Sequence, residues 1–160
     1  MSSVRIKRYN SSNKAQFKTQ VIPNVEYSLD INRKTREESF IKDIKQQISK
    51  CKSVAHVLKD DTKIYGLIVF SIGDFNKKPS LQIDYLFVNR LFRGQILENL
   101  DETKTSHYLV EYAISVAKKI YDDTGLRYIT LLPDDAKLQK IYEELEFKKL
   151  GGDEWMYMKL

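Results

Sequence analysis

The feature that most constrains the fold is a run of three consecutive strands that leads into a helix without a glycine-rich turn. Two apolar segments, Ser53–Lys59 and Lys63–Ile72, are separated by Asp60-Asp61-Thr62, which is a hairpin signal. A turn at Asn76–Ser80 then leads into a third strand, Leu81–Val88. Because strands joined by short turns pair antiparallel, this stretch predicts the antiparallel part of a sheet.

The segments on either side add helices to this sheet. Apolar residues recur at helical spacing in about Lys34–Lys50 and again in Tyr108–Ile120. Thr35 and Glu38 have the spacing of a capping box at the start of the first helix. The alternating segment Val4–Tyr9 predicts a first strand, and the stretch between that strand and the helix is left unassigned.

The C-terminal part returns to strands. Arg127–Leu132 is almost continuously apolar after its arginine, as expected for a central strand. Pro133-Asp134-Asp135 predicts the start of another helix, since aspartates favour the first helical turn. Two short strands, Phe147–Leu150 and Glu154–Leu160, then close the chain around Gly151-Gly152. A chain of 160 residues is expected to form a single domain over residues 1–160.

Composition excludes several classes of protein. A hydrophobic fraction of 42% and a charged fraction of 31% are typical of an ordinary soluble domain. No apolar run approaches the roughly 18 residues needed to cross a bilayer, so no membrane partner is expected. Cys51 is the only cysteine and there are two histidines, which excludes an internal disulfide and a Cys/His zinc cluster. We therefore expect a cytoplasmic protein without a metal site.

The charge balance suits an anionic partner without identifying it. The formal net charge is +5 and the sequence pI is about 9.1. Nucleic acid, a membrane surface and a polyphosphate cofactor would all be attracted to such a protein. The densest basic clusters, Arg5–Arg8 and Arg33–Arg36, are interpreted as solvated faces, with contact to a substrate as the alternative.

The order of the elements resembles that of the GNAT superfamily of acyl-CoA N-acyltransferases, and three motifs carry the resemblance. Leu86–Val88 followed by Arg93-Gly94 resembles the family's L-x-V strand and its R/Q-G-x-G-x-G/A loop. Leu109–Ile114 is similar to the helix after that loop, and Asp135–Phe147 is similar to N-x-x-A-x-x-L-Y-E-K-L-G-F. The resemblance implies an α/β (α+β) fold. Its sheet would be mixed, mostly antiparallel, flanked by helices and splayed between the fourth and fifth strands.

The resemblance also implies a reaction, the direct transfer of an acetyl group from acetyl-CoA to a primary amine. A backbone N–H of Leu86, Phe87 or Val88 would polarise the thioester carbonyl. Tyr142 matches the tyrosine that protonates the leaving thiolate in many members, and the alternative is a tyrosine that only packs on the core. Asp84 is a candidate base acting through water, and strand alternation predicts that it shares a face with Leu86 and Val88.

The loop that binds the pyrophosphate in the family is altered here. Its two later glycines fall at Lys104 and Ser106, and Gln95–Glu102 is added, which we expect to face outward or lie over the acceptor cleft. A lysine and hydroxyls beside helix-start amides still suit a phosphate, although the hydroxyls could instead only cap the helix. The residues predicted to bind the cosubstrate are Arg93, Gly94, Thr103, Lys104, Thr105 and Ser106 at the pyrophosphate and Asp135 at the pantetheine arm.

The sequence does not identify the amine acceptor, which could be a small molecule, a protein or the aminoacyl-tRNA that some toxin-like members of the superfamily modify. A second interpretation is a catalytically degenerate GNAT-fold module with a binding or regulatory role, for which the missing glycines are the best support. The oligomeric state is open as well, a homodimer included.

Overall fold

The computed structural model describes residues 3–133, 136–150 and 154–160. Its centre is a seven-stranded sheet with the order β1-β2-β3-β4-β7-β9-β8. Neighbouring strands of this sheet are antiparallel except β4 and β7, which are parallel. The strands of this sheet are β1 (Arg5–Tyr9), β2 (Val54–Lys59), β3 (Ile64–Phe75), β4 (Lys78–Val88), β7 (Tyr128–Leu131), β8 (Lys148–Lys149) and β9 (Met156–Lys159).

Helices cover both faces of the sheet, as predicted. The α-helices are α1 (Lys14–Gln16), α2 (Ile31–Ser49), α3 (Thr105–Tyr121) and α4 (Ala136–Glu144). A π-helical turn (Phe17–Val21) and 3₁₀ turns (Ile22–Asn24, Arg90–Phe92 and Glu98–Leu100) join them, together with a small hairpin of β5 (Ile96–Leu97) and β6 (Thr103–Lys104). Buried residues of α2 share one core with Val57 and Leu67, whereas those of α3 share a second core with Ile68 and Leu86. We call these two sides of the sheet the α2 face and the α3 face.

Helix α2 begins earlier than its capping-box signal predicted. Asp30 precedes the first helical residue, and its Oδ1 accepts a hydrogen bond from the Arg33 backbone N–H at 2.9 Å. Thr35 lies inside the helix, where its hydroxyl donates to the Ile31 carbonyl at 2.9 Å. The prediction that Thr35 caps the helix was therefore wrong. Asp30 is the N-cap residue instead, because an aspartate side chain can also accept a hydrogen bond from a free amide of the first turn.

The turn between β3 and β4 is shorter than predicted. Asn76 and Lys77 have φ values of 49° and 61°, so that these two residues alone make the connection. Two left-handed residues match the right-handed twist of a hairpin. Strand β4 consequently begins at Lys78 rather than at Leu81.

Strand β4 loses its partner β7 halfway along its length. The parallel pairing joins Ser80–Ile83 to Tyr128–Leu131 and then ends, while β4 continues to Val88 with only β3 beside it. This confirms the predicted splay between the two strands. At the same point the pairing with β3 shifts, because Ile83 lies opposite Phe70 and Tyr85 lies opposite Val69.

A close approach at Gly66 brings the start of α3 against the end of β4. A Cβ atom at this position would lie 2.5 Å from the Phe87 carbonyl oxygen, 3.1 Å from the Thr105 Cγ2 and 3.3 Å from the Leu109 Cδ1. Such distances leave no room for a side chain. The glycine thus allows the first turn of α3 to lie directly on the sheet beside the splayed part of β4.

Some predicted features lie outside the described residues. The glycine turn at Gly151-Gly152 and the aspartates at Asp134 and Asp135 belong to this group. Among the helices that the structure describes, none is both long and apolar enough to cross a membrane.

His56 makes the stability of the fold depend on pH. Its side chain is buried between Phe70 and Tyr112, and its Nδ1 lies 2.8 Å from the Tyr112 hydroxyl. Burial, assisted by the Arg8 charge, lowers the pKa of His56 from 6.5 to about 4. The His56 imidazole therefore binds a proton more readily in the unfolded chain than in the folded protein.

We predict that the free energy of unfolding decreases by about 3 kcal/mol as the pH falls from 6.5 to 4, because His56 is protonated in the unfolded chain before it is protonated in the folded protein. Above pH 6.5 this contribution of His56 is fully present. Urea unfolding between pH 7.5 and 4.5 measures this loss. The variant His56→Gln should flatten this part of the profile. Equal slopes for the wild type and His56→Gln would contradict the prediction.

Candidate functional site

The splay of β4 opens a cleft of about 430 Å³, which we call the splay cleft. It lies where the N-terminal part of α2, the end of β4, the start of α3 and one side of α4 meet. Its lining residues are Arg33, Arg36, Glu37, Phe40, Tyr85, Leu86, Phe87, Val88, Phe92, Arg93, Gly94, Lys104, Thr105, Ser106, Lys137, Leu138, Lys140, Ile141 and Glu144. Most of the residues predicted from the strand and loop motifs are thus brought together.

The N-terminus of α3 opens into this cleft without a side-chain cap. Lys104 is the N-cap residue, and no side chain accepts a hydrogen bond there from the first helical amides. Thr105 is 1% exposed, and its hydroxyl has no hydrogen-bond partner among the described residues. The alternative that Thr103–Ser106 only cap the helix is therefore wrong. Uncapped amides, a buried hydroxyl and a lysine together suit an anion.

Thr103 differs from its neighbours in the predicted set. Its hydroxyl donates to the Leu100 carbonyl at 2.7 Å, and the residue does not line the cleft. It holds the small β5–β6 hairpin together. The added residues Gln95–Glu102 do not line the cleft either, so their acidic side chains do not oppose an anion there.

Arg93 lines the cleft with its guanidinium already engaged by protein groups. Its Nε donates to the Val88 carbonyl at 2.7 Å, and a terminal nitrogen lies 3.0 Å from the Glu37 carboxylate. The same carboxylate contacts Arg33 Nε at 3.3 Å and accepts from the Ser28 amide at 2.8 Å. Arg93 therefore ties α2 to the end of β4. Its predicted contact with a pyrophosphate stays a prediction.

Gly94 follows with a φ of 73°, a left-handed conformation that favours glycine. No atom lies within 4 Å of where its Cβ would be, so the glycine is explained by backbone conformation rather than by crowding. It turns the chain from the end of β4 into the loop that leads to α3.

Positive charge surrounds the cleft. Arg36, Lys104, Lys137 and Lys140 line it and make no hydrogen bond or ion pair within the described part of the chain. Sequence reasoning treated Arg36 as part of a basic cluster of undecided role and did not select the two α4 lysines. Their i, i+3 spacing beside the Tyr142 motif was the available signal, since such residues share a helix face.

Tyr142 lies behind the wall of the cleft rather than on its surface. It is 3% exposed and packs edge-on against Phe147, with ring centroids 5.8 Å apart. Leu138 and Ile141, on the same helix, line the cleft in front of it. The role of Tyr142 as an acid stays a prediction.

Asp84 lies on the opposite face of the sheet from Leu86, so the predicted shared face was wrong. Its carboxylate accepts hydrogen bonds from Ser53 Oγ at 3.0 Å, Ser71 Oγ at 2.9 Å and Gln82 Nε2 at 2.8 Å. The register shift with β3 leaves Asp84 as an extra residue in β4. A bulge of this kind interrupts side-chain alternation.

Asp84 opens onto a second cleft of about 720 Å³, which we call the α2-side cleft. Its lining residues are Phe40, Asp43, Ile44, Gln47, Cys51, Lys52, Ser53, Val69, Ser71, Ile72, Gln82, Asp84 and Tyr85. Phe40 and Tyr85 line both clefts, and their rings stack with centroids 4.8 Å apart at 26°. One aromatic pair therefore lies between the two clefts.

One histidine and the single cysteine lie beside the two clefts. His107 lies on α3 with Nε2 3.3 Å from the Glu144 carboxylate, and Cys51 is exposed at the edge of the α2-side cleft. Asp135, predicted to contact a pantetheine arm, lies outside the described residues.

Comparisons with known proteins rest on structure alone. No family model matches the chain, and no curated protein sequence matches it either. Among solved structures, AtaTR bound with AcCoA is similar with a TM-score of 0.76 and 17% identity, covering 99% of this chain and 94% of that one. AtaT complexed with acetyl-methionyl-tRNAfMet has a TM-score of 0.69 at 13% identity, covering 98% and 95%.

A third structure, the KacTA–DNA complex, has a TM-score of 0.71 and 15% identity, covering 97% of this chain and 93% of that one. AtaT is described as a toxin in a further structure of the set, and the fold of these neighbours is GNAT-like. Similarity at such low identity is informative about the fold. It extends over nearly the whole chain, and it agrees with the splayed, mostly antiparallel sheet described above. The chain has the fold of the GNAT superfamily.

Proposed function

We propose that this protein is an acetyl-CoA-dependent N-acetyltransferase that moves an acetyl group directly onto a primary amine. The observation that carries the proposal is the start of α3. Its uncapped amides, the buried Thr105 hydroxyl and the Lys104 side chain converge on the splay cleft. The structures of AtaTR with AcCoA and of AtaT with acetyl-methionyl-tRNAfMet support the same chemistry for a chain of this fold.

The splay cleft suits the polyphosphate part of the cosubstrate. Helix-start amides and the helix dipole favour a pyrophosphate at α3, where Lys104 compensates for the missing glycines by supplying a charge. Arg36, Lys137 and Lys140 add positive charge along the cleft. The proposed order is therefore pyrophosphate at Lys104–Ser106 and thioester at the end of β4. Gly94 gives the chain its turn between these two parts, and Asp135 is proposed at the pantetheine arm.

The end of β4 suits the thioester. Leu86, Phe87 and Val88 line the cleft and have no β7 partner, so backbone amides on that side are available to a ligand. An amide donor held in place before the reaction stabilises the oxyanion that forms when the amine attacks the carbonyl carbon. The new C–N bond forms, and the C–S bond then breaks to release the coenzyme thiolate.

Two protons must move in this reaction. We assign to Tyr142 the proton that neutralises the thiolate, because the pKa values of a phenol and a thiol are similar. We assign to Asp84 the proton leaving the amine, transferred through water from the α2-side cleft. Asp84→Asn should then lower kcat/KM, because the amide that replaces the carboxylate cannot take up the proton, and an unchanged kcat/KM would exclude this role.

The phosphate site gives the first prediction. Lys104→Ala and Thr105→Val should each raise the Kd for acetyl-CoA about 10- to 100-fold, because each loses an interaction with a charged group. Isothermal titration calorimetry measures the Kd. Thr124→Val is the control with no expected effect, since its hydroxyl contacts the Ile120 carbonyl at the other end of α3 and the residue lines neither cleft.

Wild-type protein that shows no heat of binding with acetyl-CoA would overturn the enzyme proposal. That result would favour the second interpretation, a degenerate module that keeps the fold for binding or regulation. Equal affinities for Thr105→Val and Thr124→Val would instead show that the phosphates do not bind at the start of α3.

The acid gives a second prediction. Tyr142→Phe should lower kcat about 100-fold while leaving the Kd for acetyl-CoA unchanged, because only the proton donor is removed. Rapid-quench single-turnover measurements with a reactive amine test this. Tyr112→Phe is the control, since its hydroxyl contacts His56 away from both clefts. A kcat equal to that of wild type would assign Tyr142 to packing alone.

Aminoacyl-tRNA is the second candidate acceptor, alongside small molecules and proteins. The observation that favours it is the set of unpaired cations around the splay cleft, together with a net charge of +5. Acetylation of charged tRNA should then fall steeply between about 50 and 200 mM salt. Lys137→Ala and Lys140→Ala should each reduce the slope of the logarithm of the binding constant against the logarithm of the salt concentration by about one. A salt-independent KM for the acceptor would exclude this candidate.

The setting of the reaction is proposed from the sequence. A lone exposed cysteine suits a reducing cytoplasm, and residues 1–160 are proposed to form a single domain. A homodimer stays a prediction, which light scattering of the purified protein would test.

A further inference from the structure

The lengthened loop before α3 is attached to the sheet by one tyrosine. Tyr65 on β3 is 2% exposed, and its ring packs against Phe92 with centroids 4.7 Å apart. Its hydroxyl accepts a hydrogen bond from Asn99 Nδ2 at 2.8 Å. Phe92 precedes the loop and Asn99 lies within it. A single side chain therefore contacts both the segment before the loop and the loop itself.

Asp60 fixes the direction of the Tyr65 hydroxyl. One carboxylate oxygen accepts from the Thr62 and Lys63 amides, both at 2.8 Å, and the other accepts from Tyr65 at 2.8 Å. Burial raises the pKa of Asp60, but hydrogen bonds from Thr62, Tyr65 and Lys63 outweigh it and lower the pKa to about 2. The ionised carboxylate can only accept hydrogen bonds, so the tyrosine hydroxyl donates to Asp60 and presents its lone pairs to Asn99.

The rest of the loop continues this attachment to the start of α3. Leu100 is fully buried, and its carbonyl accepts from the Thr103 hydroxyl. Lys104 then pairs with Ile96 in the β5–β6 hairpin, one residue before the helix begins. The positions of Lys104 and Thr105 consequently depend on the contacts made by Asn99 and Leu100.

The loop needs such support, because its backbone is strained. Asp101 and Glu102 have φ values of 56° and 57°, in the left-handed region that non-glycine residues adopt at a cost in free energy. A strained conformation persists only when surrounding contacts hold it. The Tyr65–Asn99 hydrogen bond and the buried Leu100 are the contacts on either side of this pair.

We propose that Tyr65, oriented by Asp60, is a positioning residue for the phosphate site, which holds the loop so that Lys104 and Thr105 meet the phosphates of the cosubstrate. The inference rests on the proposed acetyl-CoA function. Tyr65 itself does not line the splay cleft, so it acts through the loop rather than on the ligand. In this chain, side-chain anchoring takes the place of a short glycine loop.

The test uses the 160-residue chain and three variants of it. Tyr65→Phe removes both hydroxyl hydrogen bonds while keeping the ring beside Phe92, and Asn99→Ala removes the loop's own donor without changing the core. Tyr9→Phe is the matched control, since it also removes a hydroxyl hydrogen bond from a buried tyrosine, 3.0 Å from Gln20 on the α2 face. The readouts are amide hydrogen exchange of residues 93–106, the Kd for acetyl-CoA and kcat at saturating acetyl-CoA.

We expect faster exchange in the loop for Tyr65→Phe and Asn99→Ala, with a Kd raised about three- to tenfold, the effect of one neutral hydrogen bond, and kcat unchanged. Tyr9→Phe should change none of these. Unchanged loop exchange in both variants would overturn the inference, whether or not acetyl-CoA binds. Faster exchange with an unchanged Kd would overturn the positioning role. Wild-type protein that does not bind acetyl-CoA would instead overturn the proposed function.

Discussion

The early end of the pairing between β4 and β7 is the constraint on which the rest of the structure depends. Four residue pairs join the strands up to Ile83, and the following residues of β4 have only β3 beside them. The bulge at Asp84 lies at this point and turns one carboxylate toward the α2 face. A single irregularity therefore opens the splay cleft, exposes strand amides and provides a polar group on the opposite side.

Two buried polar groups hold the elements that border the opening. Glu37 on α2 contacts Arg93 after β4, which compensates an otherwise costly buried carboxylate. Asp60 anchors Tyr65, and through it the loop that precedes α3. Both contacts link segments far apart in sequence. The Glu37–Arg93 and Asp60–Tyr65 contacts therefore position the elements that carry the charged side chains of the cleft, and neither contact requires a bound ligand.

Most of the fold could be predicted, because its helices and strands follow from local patterns of apolar and turn-forming residues in the sequence. Apolar periodicity located α3 and the consecutive strands, and the Arg93-Gly94 and Tyr142 motifs indicated a splayed sheet. Errors occurred where two local signals competed, as at Asp30 and Thr35. They also occurred where a bulge broke alternation, as at Asp84. The alternation of side chains along a strand assumes that strand pairing is uninterrupted. No residue type in β4 indicates the bulge at Asp84.

The sequence by itself determined the order of elements, the missing glycines and the candidate residues at the start of α3. Only the tertiary structure decided which of these residues face a common cleft. It brought Lys104, Thr105 and Ser106 together with the α4 lysines, left Thr103 outside and engaged Arg93 with Glu37. Side-chain direction and the partners of charged groups depend on contacts between distant segments, which a linear pattern does not contain.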